Sequence, residues 1–240
     1  MKHNLTFILF WFFIFLVNPV SIANTYSLRQ YSSKNGLSNS AILSICQDKN
    51  GFVWFGSCDG LNMFDGIDFQ IYKPTNKQSN LSGNLIETII ETENDIMWVQ
   101  TNYGLDRFDS RNRTIRTYKD FKGRNKLFKD PQQNLYIVKE DNYLHYYVLS
   151  DDSFHSIRID NLVFEDILEI TIDSNNILWI FSTSGKYHNY ALIRDEEYIR
   201  LEPRNGFNHD NDILWCFHEE NIFYFVDSTH KLYQYNALTK

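Results

Sequence analysis

Apolar residues in this 240-residue chain come in short bursts rather than long stripes. In the first third, "AILSICQ" (41–47), "FVWFGS" (52–57), "LNMF" (61–64) and "FQIYK" (69–73) are rich in β-branched and aromatic residues. Turn formers separate them: Asp48-Lys49-Asn50-Gly51, Asp59-Gly60 and Asp65-Gly66. Runs of this length bounded by such pairs predict four strands joined by tight hairpins. Beyond the N-terminal run discussed below, no 3.6-period apolar stripe of ten residues or more occurs, so helix content is expected to be near zero.

The pattern repeats. Residues 37–65, "LSNSAILSICQDKNGFVWFGSCDGLNMFD", align without a gap on 81–109, "LSGNLIETIIETENDIMWVQTNYGLDRFD". The match pairs Ile42 with Ile86, Trp54 with Trp98, Gly60 with Gly104 and Phe64 with Phe108. A third copy, "DILEITIDSNNILWIFSTSG" (166–185), places Trp179 twelve residues after Ile167 and Gly185 six after the Trp. Two weaker copies put Tyr136 and Tyr224 at the same anchor. Anchors at 54, 98, 136, 179 and 224 give steps of 44, 38, 43 and 45. Four short strands per such step predict a β-propeller blade, whereas leucine-rich repeats are shorter and helical repeats need the missing stripe. The expected fold is all-β, with about five four-stranded blades forming an incomplete propeller. The units are 33–73, 81–120, 124–160, 164–202 and 209–240. The Trp anchors are expected between blades, and the Gly six residues on is expected to permit the turn into the third strand.

The N-terminus belongs to none of these units. Leu5 to Val17 is an apolar run behind Lys2, followed by Asn18-Pro19 and the small residues Ser21 and Ala23. This reads as a signal peptide over 1–23, and the run is shorter than the about 20 residues a spanning helix needs. An exported, periplasmic or cell-envelope protein is expected. The formal charge of −7 becomes about −8 without Lys2, and the basic patches 110–119 and 122–126 are short and interrupted. They read as solvated edges and loops, so no nucleic-acid partner is expected. Of the three cysteines, Cys46 is expected opposite Val53, out of register with Cys58, and Cys46 and Cys216 read as buried thiols. No C-x-x-C, calcium-loop or H-E-x-x-H spacing occurs, so neither metal nor cofactor is expected.

A propeller hides its first and last edges, often by drawing one blade from both chain ends. Residues 26–32, "YSLRQYS", resemble the fourth strands 69–73 and 115–119 and predict an outer strand. The chain stops on "KLYQYN" (231–236), which aligns with a third strand, so further blades are expected to complete the ring.

The stretch from Asn35 to Phe69 resembles the two-component regulator propeller repeat: Gly-Leu-Ser, then Ile and Asp, then Gly-x-x-Trp, then Gly-Leu and Phe-Asp. Phe55 and Ser57 replace the usual Ile and Thr; Gln100 and Asn94-Asp95 replace two glycines in the second copy. Such repeats behind a signal peptide resemble the N-terminal periplasmic sensor of hybrid two-component histidine kinases in polysaccharide-degrading bacteria. That resemblance implies more blades, a further β-domain, a membrane helix and a kinase core, none of them within these residues. Membrane attachment is expected only through such downstream parts, and no catalytic residue is expected here.

What the resemblance implies is binding of an oligosaccharide or other small ligand, transmitted through a dimer. In propeller topology the second-to-third turns and the fourth-to-first loops share one face. Asp59 and Tyr103 hold equivalent turn positions there, Tyr187 lies near a third, and His209 lies in the loop before the fifth unit. These four are the ligand-binding candidates. Two alternatives stay open. One is an exported adhesion or scaffold propeller that associates with a second copy. The other is a carbohydrate-active hydrolase or lyase, for which Asp59, Asp109, Asp141 and Asp166 are the acidic candidates.

Overall fold

The computed structural model describes residues 28–74, 80–93, 95–160, 162–185, 187–194, 199–203, 209–219 and 221–237. The signal peptide expected over 1–23 lies outside them. Among the described residues no helix is long and apolar enough to cross a membrane.

The chain folds as an all-β propeller built from antiparallel meanders. The first sheet runs β1 (Ile42–Gln47), β2 (Val53–Ser57), β3 (Gly60–Phe64) and β4 (Phe69–Tyr72). The second runs β5 (Ile86–Glu91), β6 (Ile96–Thr101), β7 (Gly104–Asp109) and β8 (Thr114–Tyr118), and the third β9 (Asn125–Lys129), β10 (Leu135–Lys139), β11 (Tyr143–Val148) and β12 (Ser153–Arg158). The fourth is β13 (Ile167–Ile172), β14 (Ile177–Ser182), β15 (Tyr187–Arg194) and β16 (Ile199–Pro203). The fifth pairs three strands, β17 (Ile213–Glu219), β18 (Ile222–Asp227) and β19 (Leu232–Asn236). Helix among the described residues is limited to 3₁₀ turns at Ser33–Asn35, Lys119–Phe121 and Phe164–Asp166.

The first strands β1, β5, β9, β13 and β17 lie side by side in that order and line the axis. In β1, β5, β13 and β17 one residue bulges out of register near the strand start, at Ile42/Ser44, Ile86/Thr88, Ile167/Glu169 and Ile213/Trp215. A bulge adds local twist and re-aims side chains. The third sheet has none: β9 pairs β10 continuously from Asn125 to Lys129.

Each junction is sealed by the anchor of the preceding sheet. Trp54 meets Phe108 edge-on at 5.7 Å, Trp98 meets Tyr147 at 4.8 Å, and Trp179 meets Phe223 at 5.3 Å. Tyr136, fully buried, packs in one apolar cluster with Ile170, Leu178 and Ile180 of the fourth sheet. A hydrogen bond to a residue six positions earlier clips every one of these anchors. Trp54 Nε1 donates to Asp48 Oδ2 (2.8 Å), Trp98 Nε1 to Thr92 Oγ1 (3.2 Å), Tyr136 Oη to Asp130 Oδ2 (3.1 Å) and Trp179 Nε1 to Asp173 Oδ2 (2.9 Å). Asp48 also accepts from the amides of Asn50 and Phe52, which closes the hairpin turn between β1 and β2.

Tyr224 holds the same register, opposite Phe217 as Trp54 is opposite Cys46, but among the described residues no following sheet seals it. It is half-buried and stacks on Phe217 at 4.9 Å, beside Trp215, which is 51% exposed. At the other end of the array Ile45 is 64% exposed. Among the described residues β17 and β1 do not approach each other as successive first strands do.

Two local expectations change. Residues 28–32 form no strand: Tyr31 lays its ring on Phe64 (5.0 Å) and Phe69 (5.6 Å), and Ser32 caps the 3₁₀ turn that follows. Cys46 pairs with Trp54, not Val53, because the turn closes between Asp48 and Phe52 and shifts the register by one. Cys46, Cys58 and Cys216 are free thiols, and burial pushes the Cys216 thiol up to about 12.

Candidate functional site

The rim that carries the sequence candidates is built by loops from neighbouring blades touching one another. The Gly60 amide donates to Asn84 O (2.6 Å), and the His209 amide donates to Gly185 O (3.1 Å). Gly60 has φ +120°, and a Cβ there would lie 2.8 Å from Tyr72 O; Gly185 has φ +69°, with Asn211 O only 2.4 Å from that position. Glycine is required at both for backbone conformation and close approach. Gly104 occupies the equivalent place, where a Cβ would lie 3.0 Å from Tyr118 O.

Asp59 is partly exposed, and its Oδ2 accepts from Lys73 Nζ at 2.5 Å. That bond foremost, with the Lys73 charge and then a bond from Asn84, holds the Asp59 carboxyl below its usual range against the burial that raises it. Tyr103 projects from the equivalent turn, 56% exposed, with Lys122 Nζ 5.6 Å from its ring centroid. Tyr187 opens β15 opposite Phe181. His209 turns inward instead. Its Nε2 lies 3.1 Å from Oδ2 of the fully buried Asp227, and its ring packs edge-on against Tyr233 at 4.7 Å. Asp227 also accepts from Asn211 Nδ2, from Thr229 Oγ1 and amide, and from the Lys231 amide. Burial raises the Asp227 pKa, but these donors outweigh it and hold the carboxyl below its usual range. His209 is therefore built into the framework of the fifth sheet, while Asp59 and Tyr103 face the open rim.

The acidic residues of the hydrolase alternative are dispersed. Asp109 accepts from the amides of Arg111 and Asn112 and closes a turn, while Asp141 pairs with Lys139 at 3.2 Å. Among the described residues no group of three or more His, Cys, Asp or Glu side chains could hold a metal.

Two larger cavities lie elsewhere. One of about 490 Å³ opens between the first and second sheets, next to Asp48, Trp54 and Tyr72, with Asp95, Arg111 and Arg113 across it. Asp95 ties the two sheets together through Lys49 (3.1 Å) and Asn50 Nδ2 (3.2 Å) of the first, and also pairs with Arg111 of its own sheet. Arg111 foremost, then Lys49 and Asn50, hold its carboxyl down at about 2.

The other cavity, about 520 Å³, lies on the axis and draws on four blades: Thr88 of β5, Asn125 and Lys126 of β9, Glu169 and Thr171 of β13, and His218 of β17. His218 Nε2 is 3.0 Å from Thr171 Oγ1, and its Nδ1 is 3.7 Å from Glu169 Oε1. Burial pushes the Glu169 carboxyl up and pushes both the His218 imidazole and the Lys126 ammonium down. Lys126 was expected in a solvated basic loop. It is instead half-buried in β9, because the third unit enters its first strand immediately after Arg124. The sequence signal for this cavity is weak because its residues come from units as far apart as 88 and 218, and its central strand belongs to a degenerate copy.

Residues 36–59 match the family model described as two component regulator propeller and are a repeat of that kind. A 62-residue stretch is 40% identical to histidine kinase P4 of Formosa agariphila, covering 25% of this chain and 4% of that protein. The fold is similar to a structure described as the extracellular domain of a hybrid two component system from B. thetaiotaomicron, with TM-score 0.67 and 22% identity over 90% of this chain. It is also similar to virginiamycin B lyase from Staphylococcus aureus, with TM-score 0.56 and 16% identity over 87% of this chain. The chain spans 31% of the first structure and 68% of the second. At these identities the structural likenesses concern the fold, which sensors and lyases share.

Proposed function

We propose that this chain is part of the ligand-sensing propeller of a two-component signalling protein, exported to the cell envelope and responsive to an oligosaccharide. The observation that carries the reading is the regulator-propeller repeat at 36–59, set in a fold similar to the extracellular domain of a hybrid two component system. The kinase-like relative over a quarter of the chain supports the same placement.

In this reading the propeller is a binding element and not a catalyst. A ligand that prefers one arrangement of the blades shifts the population toward it, and the rest of the protein reads that shift across the membrane. Asp59 and Tyr103 are the rim residues suited to contact sugar: an aromatic face stacks on a ring, and a carboxylate accepts from hydroxyls. The exposed aromatic face at Trp215, Phe217 and Tyr224 is where further blades or a second copy would pack.

Calorimetry of the purified chain against a panel of oligosaccharides, with product analysis of the same mixtures, tests this. Saturable binding without turnover is the expected result. Hydrolysis or elimination that disappears in Asp59→Ala would replace it with the enzyme reading. An antibody to residues 24–240, applied to the native envelope, should reveal a product several-fold larger than 28.6 kDa. A band at that size would favour a free propeller.

A further inference from the structure

The cavity between the first two sheets has a counterpart one junction further on. Trp98, Arg107, Leu135 and Tyr147 help to line that one, between the second and third sheets, and it holds about 150 Å³ against about 490 Å³ in the first. Strand register matches the two junctions residue by residue. On the preceding sheet Gln70 corresponds to Arg116 and Tyr72 to Tyr118. On the following sheet Arg113, directly before β8, corresponds to Asp152, directly before β12, and both have left-handed backbone (φ +56° and +51°).

In the second junction Asp152 closes the gap. It accepts from Tyr118 Oη (2.5 Å), from Tyr147 Oη (2.6 Å) and from Arg116. In the first junction its place is held by Arg113, which can only donate. Tyr72, Gln70 and Arg113 all line the larger cavity, and none of the three side chains has a hydrogen bond or ion pair among the described residues. Burial raises the Tyr72 pKa while the nearby Arg113 charge acts against that shift, so the hydroxyl stays protonated and able to donate.

The other charges at this cavity are already matched. Asp48 accepts from Trp54 and two turn amides, and Asp95 is held by Arg111, Lys49 and Asn50. Arg113 is exposed and needs no counter-ion for its own stability; what singles it out is its place, beside two further donors and where the next junction keeps a carboxylate. The remaining wall is apolar, with Phe52, 36% exposed, and the half-buried Met63.

We propose that the cavity between the first and second sheets binds a small aromatic carboxylate. Its carboxylate takes the place that Asp152 fills in the next junction and accepts from Tyr72 Oη, Gln70 Nε2 and the Arg113 guanidinium, charge-assisted in the last case. Its ring lies against Phe52 and Met63. The cavity volume falls within the span of roughly 300–1,000 Å³ typical of small-molecule sites. Asp59 and Tyr103 do not line it, so this binding is separate from the rim and does not rest on the sensing function proposed above.

Benzoate and benzamide share a ring and nearly a shape but differ in charge, so calorimetry of the purified chain with each isolates the carboxylate. Benzoate is expected to bind at least roughly tenfold tighter than benzamide. Acetate, which lacks the ring, should bind at least roughly tenfold more weakly than benzoate. Tyr72→Phe should weaken benzoate several-fold, and Arg113→Met should abolish its advantage over benzamide, while Asp59→Ala should change neither. Arg113→Asp supplies the acceptor of the second junction from within the chain and should abolish benzoate binding while the near-UV spectrum stays unchanged. Equal affinity for benzoate and benzamide, no benzoate binding, or a preference that survives Arg113→Met would overturn the proposal. Acetate or D-galacturonate binding as tightly as benzoate would overturn its aromatic half. Oligosaccharide binding without any benzoate binding would sink this site and leave the sensing function standing. Arg113-dependent benzoate binding in a chain that binds no oligosaccharide would do the reverse.

Discussion

Trp54 and Tyr224 occupy the same place in two sheets and have opposite surroundings. Trp54 lies opposite Cys46, is 1% exposed and is closed over by Phe108 and Tyr72. Tyr224 lies opposite Phe217 with one ring stacked on it, and its neighbour Trp215 stands half in solvent. The clip differs too: Asp48 holds Trp54, whereas the position six residues before Tyr224 is His218, which turns to Thr171 and the axis. An anchor in a repeat fold is therefore not stabilising by its identity. It becomes so when the next unit covers it, as expected where stability is shared between a unit and its interfaces.

Substituting the anchors gives the largest test of that contrast. Trp54→Ala or Trp179→Ala should cost about 3–5 kcal/mol in urea unfolding, through lost burial and the cavity left behind. Tyr224→Ala should cost about 1 kcal/mol or less, the range of a partly exposed site. Equal losses would break the comparison.

The clips come next. Asp48→Ala strands the Trp54 indole N–H and two turn amides and should cost about 1–3 kcal/mol. Thr92→Val removes a single, longer bond to Trp98 and should cost about 1 kcal/mol, measured the same way.

Acid should sharpen the contrast from another side. Asp95, which ties the first two sheets, and Asp227, inside the fifth, both titrate below their unfolded values. The stability they confer is fully present above about pH 4 and is lost as pH falls through that value toward about 2. Urea midpoints should drop along that limb, and Asp227→Asn should flatten it. A midpoint independent of pH between 4 and 2.5 would refute the assignment.

The smallest effect on stability is expected at the open face. Trp215→Ser with Phe217→Ser should change the urea midpoint by no more than about 0.5–1 kcal/mol while reducing apolar-dye binding and self-association on a sizing column. A large loss of stability would mean that the face is covered within the chain.

Much of this architecture was legible in the sequence because it depends on local spacing. The Trp-to-Gly interval and the paired turn formers repeat in phase, and they mark the second strand and the turn after it at Trp54/Gly60, Trp98/Gly104 and Trp179/Gly185. What escaped depends on contacts between units. The six-residue clip at Asp48, Asp130 and Asp173 is hard to read from sequence because its acceptor varies and becomes Thr92 in the second unit. The strand expected at 26–32 rests on likeness to 69–73 and 115–119; over the described residues 28–32 none forms, and Tyr31 meets aromatic partners instead of a ladder. His209 reads as a rim residue in the sequence because nothing there places the buried Asp227 beneath it. Lys126 resembled one more solvated charge in a basic stretch, since nothing in the order of residues shows that its strand faces Glu169 and His218.

The hydrogen bonds from Gly60 to Asn84 and from His209 to Gly185 make the first and fourth units hands and the second and fifth wrists: the turn of one holds the loop of its successor. A gene segment that begins and ends at the same point of the period carries one complete hand and one complete wrist. Inserted at either of these two joints, it should restore both grips; a fragment of half that length should restore neither. An array joined this way is expected to tolerate gain or loss of whole periods better than of fractions of one.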